Sequence, residues 1–229
     1  MATETRNMLE NTYELFLEKF RDSYKAWDSF LEFLAVDHRP GLIRTMEHRF
    51  EWLFDDVSLM RGLEICYKPK LLADKHVDHL GDMYLEKIVT RSSAQKQGLF
   101  LTPMTVAEMM AQTTIGQTDE EINILDPAVG SGRLLLAASK YAPNARLFGV
   151  DLDQRGLRIA MTNFAIHNLK GYLLHADSLR YEVDIGTEAG RYNWGFSNQW
   201  NSSIDKLRPL ECADSSVYSK SPQQDMFGK

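Results

Sequence analysis

Cysteine is nearly absent from the chain, with only Cys66 and Cys212. Two widely separated thiols give neither a metal-ligand spacing nor a disulfide framework, so zinc chemistry and a stapled secreted scaffold are not expected. No apolar run is long enough to cross a membrane, and the start, Met1 to Arg6, lacks the basic-then-apolar pattern of a secretory leader. A reducing, cytoplasmic setting without a membrane partner is the expectation. Positive charge is also short. The 26 Lys and Arg against 32 Asp and Glu leave a formal net charge of −6. That balance excludes a protein that holds nucleic acid by charge over its whole surface, but leaves a local basic patch open. What is present is ordinary for a globular chain: 229 residues, 44% hydrophobic and 25% charged. One large domain or two small ones can be built from it.

Residues 7–35 read as one long amphipathic helix. Leu9, Tyr13, Phe16, Leu17, Phe20, Tyr24, Trp27, Leu31 and Leu34 recur mostly at spacings of three and four. The aromatic stripe is read as core packing. Asp37-His-Arg-Pro-Gly41 ends that helix, and a second is expected over 42–64. The first 64 residues hold 13 acidic and 8 basic side chains, which suits a helical platform or partner-docking surface better than a grip on phosphates. A third helix is expected from about His76 to Thr90, followed by a polar loop to Gly98. Thr102 is placed to cap the next helix, with Pro103 at its first position and Val106, Met109 and Met110 on its buried face.

Beyond residue 120 the pattern changes. Ile122, Ile124 and Leu125 read as a buried strand near 121–125 that runs into a turn holding Gly130 and Gly132, with a helix over 131–141 behind it. Further strands are expected at 146–151 and 171–177, with a helix at 154–168 between them. Strands alternating with helices predict a parallel sheet with right-handed crossovers, an α/β fold. Each strand ends in a carboxylate, Asp126, Asp151 or Asp177, and carboxyl ends of such strands line one crevice. One Asp after a strand is ordinary turn chemistry. Three of them around a G-x-G turn favour a ligand rich in donors: ribose hydroxyls, an adenine amine, an ammonium group. For the two glycines alone, a tight turn without a ligand is an equal reading.

Gln97-Gly-Leu-Phe-Leu-Thr-Pro103, Leu125-Asp-Pro-Ala-Val-Gly-Ser-Gly132, Phe148-Gly-Val-Asp-Leu-Asp153 and His175-Ala-Asp177 together resemble the S-adenosylmethionine motifs of adenine-specific DNA methyltransferases. They are most similar to the modification subunit of type I restriction systems. His79-Leu-Gly-Asp-Met-Tyr84 resembles the end of that family's helical N-terminal domain. The likeness covers about 76–178, and four ordered motifs are far more specific than one. It implies a Rossmann-like S-adenosylmethionine-dependent methyltransferase core over 97–210, with an incomplete sheet of about four or five strands. An all-α region over 1–96 would precede it, and a polar tail over 211–229 would follow. It also implies residue roles. Phe100, Thr102 and Pro103 would lie in the segment that closes over the cofactor's methionine part. Asp126, Ala128, Gly130 and Gly132 would cradle that part, Asp151 would accept from the ribose hydroxyls and Asp177 from the adenine amine. A neutral to acidic pocket suits a sulfonium cation.

The same family continues with a strand ending in Asn-Pro-Pro-Tyr or Phe, whose Asn accepts from the target adenine's amine while the ring stacks on the flipped base. Here the place reads Tyr192-Asn-Trp-Gly-Phe-Ser-Asn-Gln-Trp-Asn201. Asn198 aligns with the family Asn. Gln199 and Trp200 stand for the prolines and Asn201 for the aromatic residue, which leaves Trp200, one position away, as the base-stacking candidate. Only 28 residues follow Asn201, too few for the family's remaining strands and its DNA-reading region. Tyr192, Trp194 and Phe196 alternate with smaller polar residues, so residues 192–197 are expected at a sheet edge. Residues 180–185 alternate too, and a hairpin with 191–196 across Gly186 to Gly190 is an option. Such an edge recruits a partner, giving a homodimer or a hetero-oligomer. The tail from Ser219 to Lys229 is expected to be disordered. Within it Gln223-Gln-Asp-Met-Phe227 resembles the bacterial sliding-clamp-binding peptide, with Gln223, Met226 and Phe227 as the contact residues, and a plain polar tail is the alternative. The resulting functional expectation is a DNA methyltransferase acting on the exocyclic amine of adenine, as a subunit or truncated member of a restriction-modification-type system. A catalytically impaired S-adenosylmethionine-binding module with a regulatory or assembly role is the second reading. A cofactor-free structural fragment is the third, and the intact Asp126, Gly130, Gly132, Asp151 and Asp177 speak against it.

Overall fold

The N-terminal aromatic stripe folds as two helices rather than one. The computed structural model describes residues 2–38, 52–53, 55–73, 76–89, 101–179, 182–183 and 194–196. Helix α1 spans Ala2–Phe20 and α2 spans Ser23–His38. Between them Arg21 takes a left-handed φ of 52°, and the Asp22 carboxylate accepts from the Lys25 backbone N–H at 2.8 Å, which starts a new helix. The apolar period runs on across the break because both helices feed one aromatic cluster. Tyr13 and Phe16 meet Trp27 and Phe30 edge to face, with ring centroids 5.6–6.0 Å apart.

Local capping also corrects the next boundaries. Helix α3 is Val57–Cys66, opened by Asp56, which accepts from the Leu59 N–H at 2.9 Å. Within the helix expected over 42–64, a described helix thus starts at Val57, and residues 42–51 and 54 lie outside the described residues. Helix α4, His79–Met83, is capped by Asp78 and continues as a π turn over Tyr84–Ile88. Helix α5, Met104–Thr114, starts later than expected: Pro103 holds the N-cap position and no side chain caps it, so Thr102 is not the cap. Its buried face is Ala107 and Ala111, which pack with Ala137 and Ala138 of the following helix. Val106, Met109 and Met110 are 38%, 61% and 43% exposed. A seam of small side chains lets the two helices approach closely, and it turns the larger residues outward.

Strands β1 (Asn123–Asp126), β2 (Arg146–Asp151) and β3 (Gly171–Asp177) pair in parallel in that order. The crossovers are α6 (Arg133–Tyr141) and α7 (Gln154–Ile166). Two short strands complete a five-stranded sheet, β4 (Glu182–Val183) and β5 (Trp194–Phe196). Both run antiparallel to β3, β4 along Ala176 and Asp177, β5 along Gly171 to Leu173. Among the described residues β5 pairs with β3 alone, the arrangement expected of an edge at 192–197. The hairpin between the two segments is not found among the described residues, since each takes its own end of β3.

The helical layer and the sheet layer share one hydrophobic core, from Leu9 and Phe16 through Leu31 and Leu34 to Leu157, Phe164 and Leu173. Helix α2 lies against α7, where Arg158 pairs with Asp28 and Glu32 at 2.7 and 2.8 Å. Where β2 and β3 meet, a Cβ on Gly171 would stand 1.8 Å from the Leu147 carbonyl oxygen, so only glycine fits. Among the described residues, no helix is long and apolar enough to cross a membrane. Phe100, Asn198, Trp200, and the tail with Gln223, Met226 and Phe227 lie outside the described residues.

Candidate functional site

Three strands end in the three carboxylates the sequence singled out: Asp126 on β1, Asp151 on β2 and Asp177 on β3. Parallel pairing puts all three at one edge of the sheet. The turn after β1 completes that edge. Gly130 and Gly132 take left-handed φ values of 50° and 85°, which L side chains adopt only with strain. Gly132 opens α6 without any side-chain cap, and a Cβ on it would stand 3.3 Å from that of Ala160. Gly156 in α7 is equally constrained, since its Cβ would meet the Gly130 carbonyl group at 3.2 Å.

The carboxylates are held in different states. Asp151 is committed to the turn, one oxygen accepting from the Gly130 N–H at 2.6 Å and the other from the Asp153 N–H at 2.8 Å. Each oxygen keeps a second lone pair for a ligand. Asp153 caps α7 through the N–H groups of Arg155 and Gly156. Asp177 accepts from the Leu179 N–H at 3.0 Å. Asp126 is buried at 7% exposure. Its Oδ1 accepts from the Ala128 N–H at 3.0 Å, while among the described residues nothing reaches its Oδ2. Burial pushes its carboxyl above the ordinary value, the Ala128 N–H opposes this in part, and the charge of Asp151 adds to the rise. A buried carboxylate oxygen without a donor is costly. A cationic donor entering the turn would remove that cost, so the set of carboxylate acceptors fits a ligand carrying an ammonium group beside hydroxyl and amine donors.

A second group of residues supports the turn from behind. Asp78 is fully buried and its carboxylate accepts four hydrogen bonds. Its Oδ1 takes the Gly81 N–H at 2.7 Å and the Asn163 amide at 2.8 Å; its Oδ2 takes the Ser131 hydroxyl at 2.5 Å and Arg133 Nε at 3.0 Å. The Arg133 guanidinium also donates to the Thr102 carbonyl at 3.1 Å and to Asp82 at 2.7 Å. Burial alone would lower its pKa, but Asp78 and Asp82 raise it above the ordinary value. The Asn163 amide also reaches the Ser131 carbonyl at 2.9 Å. Leu101 fills the space between Gly81 and Gly130, where a Cβ on either would come within 2.8 or 3.4 Å of it.

Thr102, Pro103, Asp126, Ala128, Gly130, Gly132, Asp151 and Asp177 are therefore all described, and the last six form the turn and the strand-end carboxylates around it. Thr102 reaches the turn through Arg133. Phe100, Asn198 and Trp200 are outside the described residues. The nearest described residue ahead of Asn198, Phe196, faces Gly171 at the amino end of β3, the end away from the carboxylates. Sequence reading missed Asp78, Ser131, Arg133 and Asn163. One signal was available: a cation in the first turn of a helix opposes the helix dipole, so Arg133 needed a buried anion.

The family described as N-6 DNA Methylase matches residues 75–211. The type I restriction enzyme MpnII methylase subunit of Mycoplasma pneumoniae is 26% identical over 181 residues, covering 75% of this chain and 32% of that subunit. The modification methylase CviBIII of Paramecium bursaria Chlorella virus NC1A is 33% identical over 85 residues, 37% of this chain and 22% of that protein. The crystal structure of a type I restriction-modification system methyltransferase subunit from Streptococcus thermophilus aligns with a TM-score of 0.37 at 26% identity, over 58% of this chain and 29% of that one. The chain thus spans about a third or less of the length of the curated relatives it matches.

Proposed function

The chain belongs to the N-6 DNA methylase family, and we propose that its strand-end edge binds S-adenosylmethionine for methyl transfer to the exocyclic amine of adenine in DNA. The observation that carries this reading is Asp126, a buried carboxylate with one oxygen unmet, beside two left-handed glycines and two further strand-end carboxylates. When bound, the cofactor supplies an electrophilic methyl group on a sulfonium. The residues of this chain bind and orient it. Asp126 and the Gly130–Gly132 turn take the amino-acid end, with Thr102 and Pro103 closing over it and Phe100 preceding them. Asp151 accepts from the ribose hydroxyls and Asp177 from the adenine amine. The acidic edge favours the cation and needs no arginine. Asn198 is the residue that would accept from the target amine, and Trp200 the one that would stack on the base.

We further propose that the chain acts in the cytoplasm as one part of a larger restriction-modification-type assembly, with DNA and another subunit as partners. The likeness to the MpnII methylase subunit of a type I restriction enzyme supports this. The β5 edge is the candidate contact, as a homodimer or a hetero-oligomer. Sliding-clamp binding through Gln223, Met226 and Phe227 is a separate proposal, tested by clamp pull-down with and without Phe227→Ala.

One observation favours the second reading, a cofactor-binding module without activity. The strand that precedes Asn198 delivers Phe196 to the end of β3 away from the carboxylates. Calorimetry with S-adenosylmethionine, followed by transfer of labelled methyl to DNA by wild type and Asn198→Ala, separates the readings. Binding and transfer that Asn198→Ala abolishes support the methyltransferase. Binding without transfer, with the partner subunit supplied, selects the module. No binding rejects both.

A further inference from the structure

The strongest unexplained feature is the buried charge group behind the glycine turn. Asp78, the N-cap of α4, and Arg133, the first residue of α6, are 55 residues apart in sequence, and their contacts reach the Ser131 hydroxyl and the Thr102 carbonyl of the proposed cofactor site. We infer that Asp78 and Arg133 are positioning residues that fix the Thr102–Pro103 segment and the Ser131–Gly132 backbone in the register needed to hold the amino-acid half of the cofactor. This rests on the S-adenosylmethionine reading above.

Three contacts make the case. Arg133 Nη1 donates to the Thr102 carbonyl at 3.1 Å, so it restrains the segment ahead of α5 by its main chain, whatever the Thr102 side chain does. On the other oxygen-bearing side, Asp78 takes Arg133 Nε at 3.0 Å and the Ser131 hydroxyl at 2.5 Å, so one carboxylate oxygen ties that arm to the turn. Leu101 packs between Gly81 and Gly130, which leaves the segment no free room to slide. The guanidinium is a planar fork, and only a fork spans Asp78, Asp82 and the Thr102 carbonyl together. Asp151 and Asp177, the carboxylates proposed for ribose and adenine, accept instead from the N–H groups of Gly130, Asp153 and Leu179.

That separation yields a readout that general structural damage does not move. S-adenosylhomocysteine carries the amino-acid half, whereas 5′-methylthioadenosine carries the adenosine half without it. Affinity for both is measured by calorimetry on the full chain, for wild type, Arg133→Lys and Asp82→Asn, with melting temperatures alongside. Arg133→Lys keeps the charge but loses the fork. Asp82 is half-exposed, so Asp82→Asn loosens one arm without stranding Asp78 and keeps the test available if Arg133→Lys fails to fold. The expected result is a loss of about tenfold for S-adenosylhomocysteine in Arg133→Lys and about threefold in Asp82→Asn, the scale of one charge-assisted hydrogen bond. Affinity for 5′-methylthioadenosine is expected to stay within about twofold. Equal weakening of both ligands, or no change in either, overturns the positioning role while leaving the function intact. Wild type that binds neither ligand overturns the function reading and this inference with it.

Discussion

Asp126→Asn should make the ligand-free protein more stable while it weakens the cofactor site. The wild-type carboxylate is 7% exposed and has one partner, the Ala128 N–H, with Oδ2 unmet among the described residues. Asparagine keeps an oxygen for that N–H but is neutral. The gain is the difference between an unmet charged oxygen and an unmet neutral amide, about 1 kcal/mol, or roughly 2–4 °C in melting temperature for a chain of this size. The pH dependence has a definite sign. Burial raises the folded-state pKa of Asp126 above its free value of 3.8, so the folded chain holds this proton more tightly than the unfolded chain. Below pH 3.8 both states are protonated and the charge costs nothing. As pH rises from there through the raised folded value, wild type is forced to ionise a buried group and loses stability that the amide never loses. The difference between variant and wild type should therefore grow from acid to neutral pH and then level off. Melting curves by circular dichroism at pH 4, 6 and 8 measure it, and adding S-adenosylhomocysteine should raise wild type more than the variant. A variant that melts below wild type at pH 8 without ligand, or a difference that stays flat with pH, would refute the claim that Oδ2 is an unmet charge.

Gly171→Ala should abolish soluble expression or lower the urea midpoint by the equivalent of more than about 4 kcal/mol, because the new Cβ would meet the Leu147 carbonyl oxygen at 1.8 Å. Trp27→Ala should cost about 3–5 kcal/mol in urea unfolding, since the ring is 1% exposed and packs on Tyr13 and Phe30. His167 should make the fold acid-sensitive. Burial, with the charge of His76 next, lowers its pKa from 6.5 to about 4, so the unfolded chain binds the extra proton between those values. Stability should fall by roughly 1.4 kcal/mol per pH unit as pH drops through that window, and His167→Gln should flatten the slope in urea titrations at pH 7, 6 and 5.

The parts of the fold that were legible in the sequence are those built from long-period patterns or from whole strands. β2 and β3 lie over the expected 146–151 and 171–177, each ending in its Asp. What escaped was decided by single side chains. Arg21 in a left-handed conformation and Asp22 as a cap split a stripe whose period continues unbroken. Ala107 and Ala111 won the buried face of α5 from Met109 and Met110 because α6 offers alanines opposite, and a partner's surface cannot be read from one helix. The pairing of β5 with β3 is a long-range choice that alternation alone does not specify. The carboxylate edge proposed for the cofactor was legible as geometry because its residues sit at element ends, where a short-range pattern fixes both position and direction. Its supporting group was not, since Asp78 and Arg133 are 55 residues apart in sequence.

Asp78 and Asp126 are the same residue type, both buried, and their surroundings separate what each is for. Asp78 has four donors, including a guanidinium, and every acceptor direction that matters is used inside the fold. Asp126 has one donor and one idle oxygen. A saturated buried carboxylate is worth its charge to the protein, because the partners it would strand include Arg133. A starved one is worth its charge only to a ligand. The same substitution must then act in opposite directions. Asp78→Asn should destabilise the chain by about 3–5 kcal/mol, the scale for breaking a buried ion pair from one side, whereas Asp126→Asn should stabilise it. Urea titration of the two variants side by side at pH 7 makes the comparison. If both lose stability, the idle oxygen of Asp126 is met by a protein group after all, and the turn offers no vacancy for a cation.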